Sequence, residues 1–186
     1  MFYLNKFQKF LDAVRINLMI LNILTDEQPT LRIPSKPVPE ITKEIQQLAL
    51  DMLETMYVAP GVGLAAPQIG KNIRMVVTDW SEDKTLPMVW VNPVLTPVGK
   101  NLVCGLEGCL SVPGKEGMVN RYQKLKVTAL NLEGKKISIT LDEFPARVLQ
   151  HEVDHLDGIL YTDKIVDNQL FKIDPLNHKR KSKKDI

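Results

Sequence analysis

The segment QHEVDHLDG, residues 150–158, sets two histidines four positions apart with a glutamate directly after the first. On a helix, residues four apart share a face and are separated by about 6 Å along the axis, so His151 and His155 can aim both imidazoles at one ion. Glu152 is turned about 100° from His151, near enough to reach a water on that ion without ligating it. Two nitrogens do not hold a divalent ion firmly, and a catalytic centre of this type uses three protein ligands with one position left open. The chain must therefore bring a third donor from elsewhere onto this helix, which no local structure can achieve.

No histidine or glutamate follows at the spacing of the common zinc peptidases: His178 lies in a basic stretch, and Asp157 and Asp163 are weaker candidates. Upstream, LEGCLSVPG presents Cys109 among small and turn-forming residues, where a thiolate can approach an ion closely. Alone it would read as an inert buried thiol; beside an HExxH helix short of a ligand it reads as a ligand. Cys104, in a strand-like stretch, reads as a small buried hydrophobe. Two cysteines are too few for a disulfide framework in 186 residues, which favours a reducing compartment.

That length suits one domain with its own core, and 44% hydrophobic residues exclude wholesale disorder. Ile41, Ile45, Leu48, Met52 and Met56 share a face and predict a core helix from about 40 to 57, started by Pro39 and Glu40. PGVGLAAPQIG, residues 60–70, ends it as a loop. IRMVVTDW, PMVWVNP, KLKVTALNL and KKISITL read as strands, the last two as a hairpin turning at Glu133-Gly134. Asp142 is placed to cap the histidine helix, Pro145 lies in its first turn, and Gly158 stands where it would stop.

The formal net charge of +2 divides unevenly. HKRKSKK at 178–184 carries five basic residues and no acid, leaving 2 − 5 = −3 for the rest. A mildly acidic body argues against DNA binding, while the tail could touch RNA or anionic headgroups or simply stay solvated. No apolar run reaches membrane-spanning length. Residues 1–18 lack the apolar block and cleavage site of a secretory signal; an amphipathic extension, a transit-like leader and a start codon upstream of Met19 are all compatible with them.

Three segments in this order, GVGLAAPQ at 61–68, EGCLS at 107–111 and QHEVDHLDG at 150–158, resemble the peptide deformylase family. The likeness runs from about Met19 to the 160s, roughly four fifths of the chain. It implies an α+β fold with antiparallel strands packed around a central HExxH helix, and a layout of extension (1–18), catalytic domain (19–170) and basic tail (171–186). It also marks Met19 as resembling a native start.

The resemblance implies removal of the formyl group from the N-formylmethionine of nascent peptides, with release of formate. On matching positions, Cys109, His151 and His155 hold the ion, Glu152 is the general base, and the Gln68 amide and the Leu110 backbone N–H receive charge developing on oxygen. Gly63 is expected to contact substrate backbone. Val62, Leu64 and Val148 are expected as walls of a methionine pocket, Val148 because it lies one turn before His151. Gln150 and Asp154 are expected to orient ligands or neighbouring backbone. Fe2+ is the implied working ion, with Zn2+, Ni2+ or Co2+ as alternative occupants. The implied setting is the cytoplasm or an organelle, with ribosome contact through the basic tail. One departure concerns substrate affinity: many family members carry arginine seven residues after the ligand cysteine, where this chain has Glu116, with Lys115 or Arg121 as candidate substitutes. A zinc endopeptidase would leave GVGLAAPQ and EGCLS unexplained, and a binding protein without turnover would leave Glu152 unexplained.

Overall fold

The computed structural model describes residues 18–173 and Arg180–Lys181. Residues 1–17 and most of the basic stretch at 178–184 lie outside that range.

The first helix, α1 (Lys43–Val58), begins three residues later than Pro39 and Glu40 suggest, because Thr42 caps it by accepting the Ile45 N–H at 3.4 Å. Its apolar stripe is core, with Met52 and Met56 fully buried. The expected loop at 60–70 contains the short strand β1 (Gly63–Ala65) and a 3-10 turn over Ala66–Ile69 closed by left-handed Gly70. With β2 (Met75–Thr78), β3 (Met88–Pro97), β6 (Lys124–Leu130) and β7 (Lys136–Asp142), β1 forms a five-stranded antiparallel sheet in the order β1-β2-β3-β6-β7. The β6–β7 hairpin turns at the predicted Glu133-Gly134.

A second antiparallel sheet, β4-β5-β8-β9, is formed by β4 (Leu102–Cys109), β5 (Val112–Tyr122), β8 (Ile165–Ile173) and β9 (Arg180–Lys181). β4 and β5 make a long hairpin whose tip is the two-residue turn Leu110-Ser111, with Cys109 facing Val112 in register. β4 is an edge strand, so Cys104 is exposed rather than buried as the sequence suggested.

The second helix, α2 (Glu143–Leu156), carries the histidines and packs against β1, β2, β5 and β7. Ten of its residues are buried, so the HExxH segment is central and not a surface face. Asp142 occupies the N-cap position, but its carboxylate pairs with Lys124 at 3.3 Å instead of capping the helix. At the other end, Gly158 N–H donates to the His155 carbonyl (3.2 Å) and Ile159 N–H to the Asp154 carbonyl (2.9 Å). This Schellman closure needs the left-handed φ of +74° that Gly158 adopts.

Candidate metal centre and catalytic site

β4 and α2 meet where the sequence requires a third donor. The Cys109 sulfur and one ring nitrogen from each of His151 and His155 all lie within 4.8 Å of one another, and Sγ is 3.2 Å from His155 Nε2. Cys109 reaches this point because the β4–β5 register jumps: Gly108 faces Glu116 while Cys109 faces Val112, so Pro113, Gly114 and Lys115 bulge out of the ladder.

Glu107 supplies a feature that the sequence reading missed. Its Oε2 accepts from His151 Nδ1 at 2.9 Å, which makes Nδ1 the protonated ring nitrogen and leaves the Nε2 lone pair for an ion. The signal was present: Glu107 and Cys109 are two apart on a strand and share a face. Burial opposes the Glu107 charge, but hydrogen bonds from Arg121 and His151 prevail and hold its carboxyl at about 2. Arg121 donates Nε (2.9 Å) and Nη2 (2.8 Å) to Glu107 and Nη1 to Asp154, whose other oxygen accepts from Lys164 at 2.6 Å. Arg121 is thus fully engaged in a buried ion network and does not substitute for a cation at position 116. Lys115 does line the cavity, and its ammonium pairs with Asp26 at 3.2 Å.

Electrostatics separate the two imidazoles. Burial pushes His155 well below its ordinary range, and charge on His151 pushes it further. Burial also works against a charged His151, but Cys109 and Glu107 hold it up to about 10. The Cys109 sulfur and the Glu107 carboxylate thus favour positive charge here, as suits a cation site. Thiolate plus two imidazoles is a donor set for Zn2+ or Fe2+, and the residues present fit a divalent ion.

Glu152 follows His151 on the buried face, where burial pushes its carboxyl up to about 7, and its Oε2 has no hydrogen-bond partner among the described residues. Gly63 makes room for it: a Cβ there would lie 2.7 Å from Glu152 Cγ and Cδ. Gln68 is buried with its Oε1 accepting the Ala65 N–H at 2.8 Å, so its amide Nε2 points at Ser111 Oγ (3.1 Å) and Cys109 Sγ (3.6 Å). Leu110 sits in the hairpin turn at the cavity edge.

These groups open on a cavity of about 360 Å³ lined by Val62, Gly63, Val148, Phe144, the β5 bulge and Ile173, a size that accepts a small peptide end. Val62 and Val148 lie on its wall. Leu64 does not. It is fully buried on the opposite face of β1, in the core with α1, because successive strand residues point to opposite sides and Gly63 already faces α2. Gln150 clamps β5, accepting from Tyr122 N–H at 3.0 Å and donating to the Tyr122 carbonyl at 2.9 Å. Tyr161, also missed, stacks on His151 with ring centroids 5.9 Å apart.

Residues 20–170 match the family model described as polypeptide deformylase. A peptide deformylase of Acinetobacter baumannii (strain SDF) is 49% identical over 144 residues, covering 77% of this chain and 82% of that protein. Among solved structures, the peptide deformylase of Synechococcus elongatus in complex with actinonin superposes with a TM-score of 0.77 at 35% identity, over 83% of this chain and 88% of that one. A Met-Ala-Ser-bound class I type b peptide deformylase from A. baumannii gives 0.74 at 34% identity, over 80% and 99%.

Proposed function

This chain belongs to the peptide deformylase family, metal-dependent hydrolases that convert N-formylmethionyl peptides to formate and methionyl peptides, and from that premise we propose which residues perform the reaction. Cys109, His151 and His155 would hold a single divalent ion; the convergence of their three donor atoms within 4.8 Å is the observation that carries the assignment. Such an ion supplies Lewis acidity, which makes water a nucleophile near neutral pH. Glu152 is the general base: it lines the same cavity with its Oε2 unpartnered among the described residues, and it takes a proton from the attacking water and delivers it to the departing amine. The Gln68 amide is fixed beside Cys109 by its bond to Ala65 N–H, ready to donate to the formyl oxygen as charge builds there. Leu110 N–H is assigned as the second donor, on the resemblance and on its place at the hairpin tip. Gly63 offers its backbone to the peptide, and Val62 and Val148 flank the methionine side chain.

The test is incubation of anaerobically prepared, metal-loaded protein with formyl-Met-Ala-Ser. Formate release that Glu152→Gln lowers by about 10²–10⁴-fold, with metal content unchanged, is the expected result. Cleavage inside a longer peptide would instead indicate an endopeptidase, and binding without product would indicate a protein that has lost turnover.

We further propose Fe2+ as the working ion, supported by the thiolate-imidazole set and the resemblance, with Zn2+, Ni2+ or Co2+ as alternative occupants; elemental analysis after anaerobic purification decides among them. Since the substrate arises on ribosomes, the proposed compartment is the cytoplasm. The charge of the 178–184 stretch supports a contact with ribosomal RNA. Ribosome co-sedimentation that is insensitive to salt and unchanged by deleting 178–186 would remove that contact. No helix among the described residues is long and apolar enough to cross a membrane.

A further inference from the structure

Arg147 lies one turn before His151 on α2, and its guanidinium is spent on the β4–β5 hairpin. Nη1 donates to Glu107 Oε1 (2.8 Å), Val119 O (2.9 Å) and Gly105 O (3.3 Å), and Nη2 donates to Val103 O (2.6 Å). A carboxylate has about four acceptor positions, and those of Glu107 are all engaged. Oε1 accepts from Arg121 Nε and Arg147 Nη1, and Oε2 from Arg121 Nη2 and His151 Nδ1. With three positions held by guanidinium groups, the carboxylate is locked in rotation and its fourth position presents to His151.

We propose that Arg147 is a positioning residue for the metal ligand His151, acting through Glu107, and that Gly105 is the seat its guanidinium requires. The proposal rests on Cys109, His151 and His155 being the ion's ligands. Two features set it apart from ordinary structural pairing. Arg147 joins the hairpin that carries the sulfur donor to the helix that carries the nitrogen donors, so one side chain fixes the spacing of both halves of the site. And a Cβ at position 105 would lie 2.7 Å from Arg147 Nη2 and 2.8 Å from Cζ. Gly105 has no left-handed φ, so it is the guanidinium, and not the backbone, that requires a glycine there. A lysine at 147 keeps the charge but cannot reach acceptors on both strands with a single ammonium.

The full chain is loaded with Co2+, whose near-ultraviolet thiolate band reports cysteine ligation, and release into excess EDTA is timed. Arg147→Lys and Gly105→Ala should keep the band but release the ion about 10-fold faster, the scale of a disturbed outer-shell partner. Glu107→Gln should do the same, and Arg147→Lys combined with it should add nothing, because the effect passes through Glu107. Gly105→Ala leaves Arg147 itself intact, so it carries the test should Arg147→Lys fail to fold. Unchanged release in the folded variants, or effects of Arg147→Lys and Glu107→Gln that multiply, would overturn the role of Arg147. A missing thiolate band in the unsubstituted protein would sink the ligand assignment, and this proposal with it.

Discussion

Gly63 and Leu64 are chain neighbours in opposite surroundings, because β1 turns one toward the Glu152 carboxylate and the other into the core beneath α1. Adding a methyl at Gly63 forces Glu152 out of place, and a misplacement on the ångström scale costs on the order of 10²-fold in rate. Gly63→Ala should therefore lower kcat while stability and bound metal stay near those of the unsubstituted protein. Leu64→Ala should do the reverse. It removes a fully buried side chain, for which about 2–5 kcal/mol of stability is the usual loss, read by chemical denaturation, with KM for a formylated peptide unchanged. A rise in KM without loss of stability would return Leu64 to the pocket wall. The sequence could place both residues beside the site, but which way each points depends on the strand's pairing partner, and glycine-rich GVGLAA carries no apolar alternation to reveal it.

At the scale of elements, α2 was legible from end to end because its signals are chemical: HExxH spacing within it and glycine just after it. Gly158 does more than stop the helix. Its φ of +74° is left-handed, and a Cβ there would meet the Arg32 carbonyl oxygen at 2.6 Å, so the incoming N-terminal segment packs flush against the helix end. Gly158→Ala combines backbone strain with that collision and should cost at least ~1 kcal/mol in an unfolding titration. A melting curve unchanged from the parent would show that the segment at Arg32 yields freely. The β4–β5 hairpin was far less legible, although it carries Cys109. VPGKEGMVNRY contains a proline, two glycines and three charges, and its register jump breaks the alternation by which strands are recognised. What holds that hairpin is Glu107, Arg121 and Arg147 from the inside, an ion network whose partners are 14 to 44 residues apart in sequence. No local pattern announces such contacts.

Across the whole molecule, the segment around Arg32–Ser35 and the start of β2 close over the C-terminal end of α2 and brace the site from outside. Ser35 N–H donates to the Leu156 carbonyl at 2.7 Å, Arg74 pairs with Asp157 at 2.6 Å, and Arg32 forks onto Asp163 in the turn after the helix. Asp163 also accepts the Leu160 N–H at 2.9 Å. Partial burial raises its carboxyl, but the Arg32 bonds and the Leu160 N–H outweigh that and hold it below the ordinary carboxylate value. A carboxyl depressed on folding stabilises the native state above its unfolded value, near pH 4, and that contribution fades as pH falls through the lower folded value. Both partners are about 40% exposed, so solvent screening limits the effect to less than about 1 kcal/mol. The gap in melting temperature between the parent protein and Asp163→Asn should be small at pH 7 and close further as pH is lowered from 4 toward 2. A gap that instead widens with acid would mean that Asp163 is not bound in its charged form, and that the closure of the Arg32 segment over the end of α2 owes nothing to this pair.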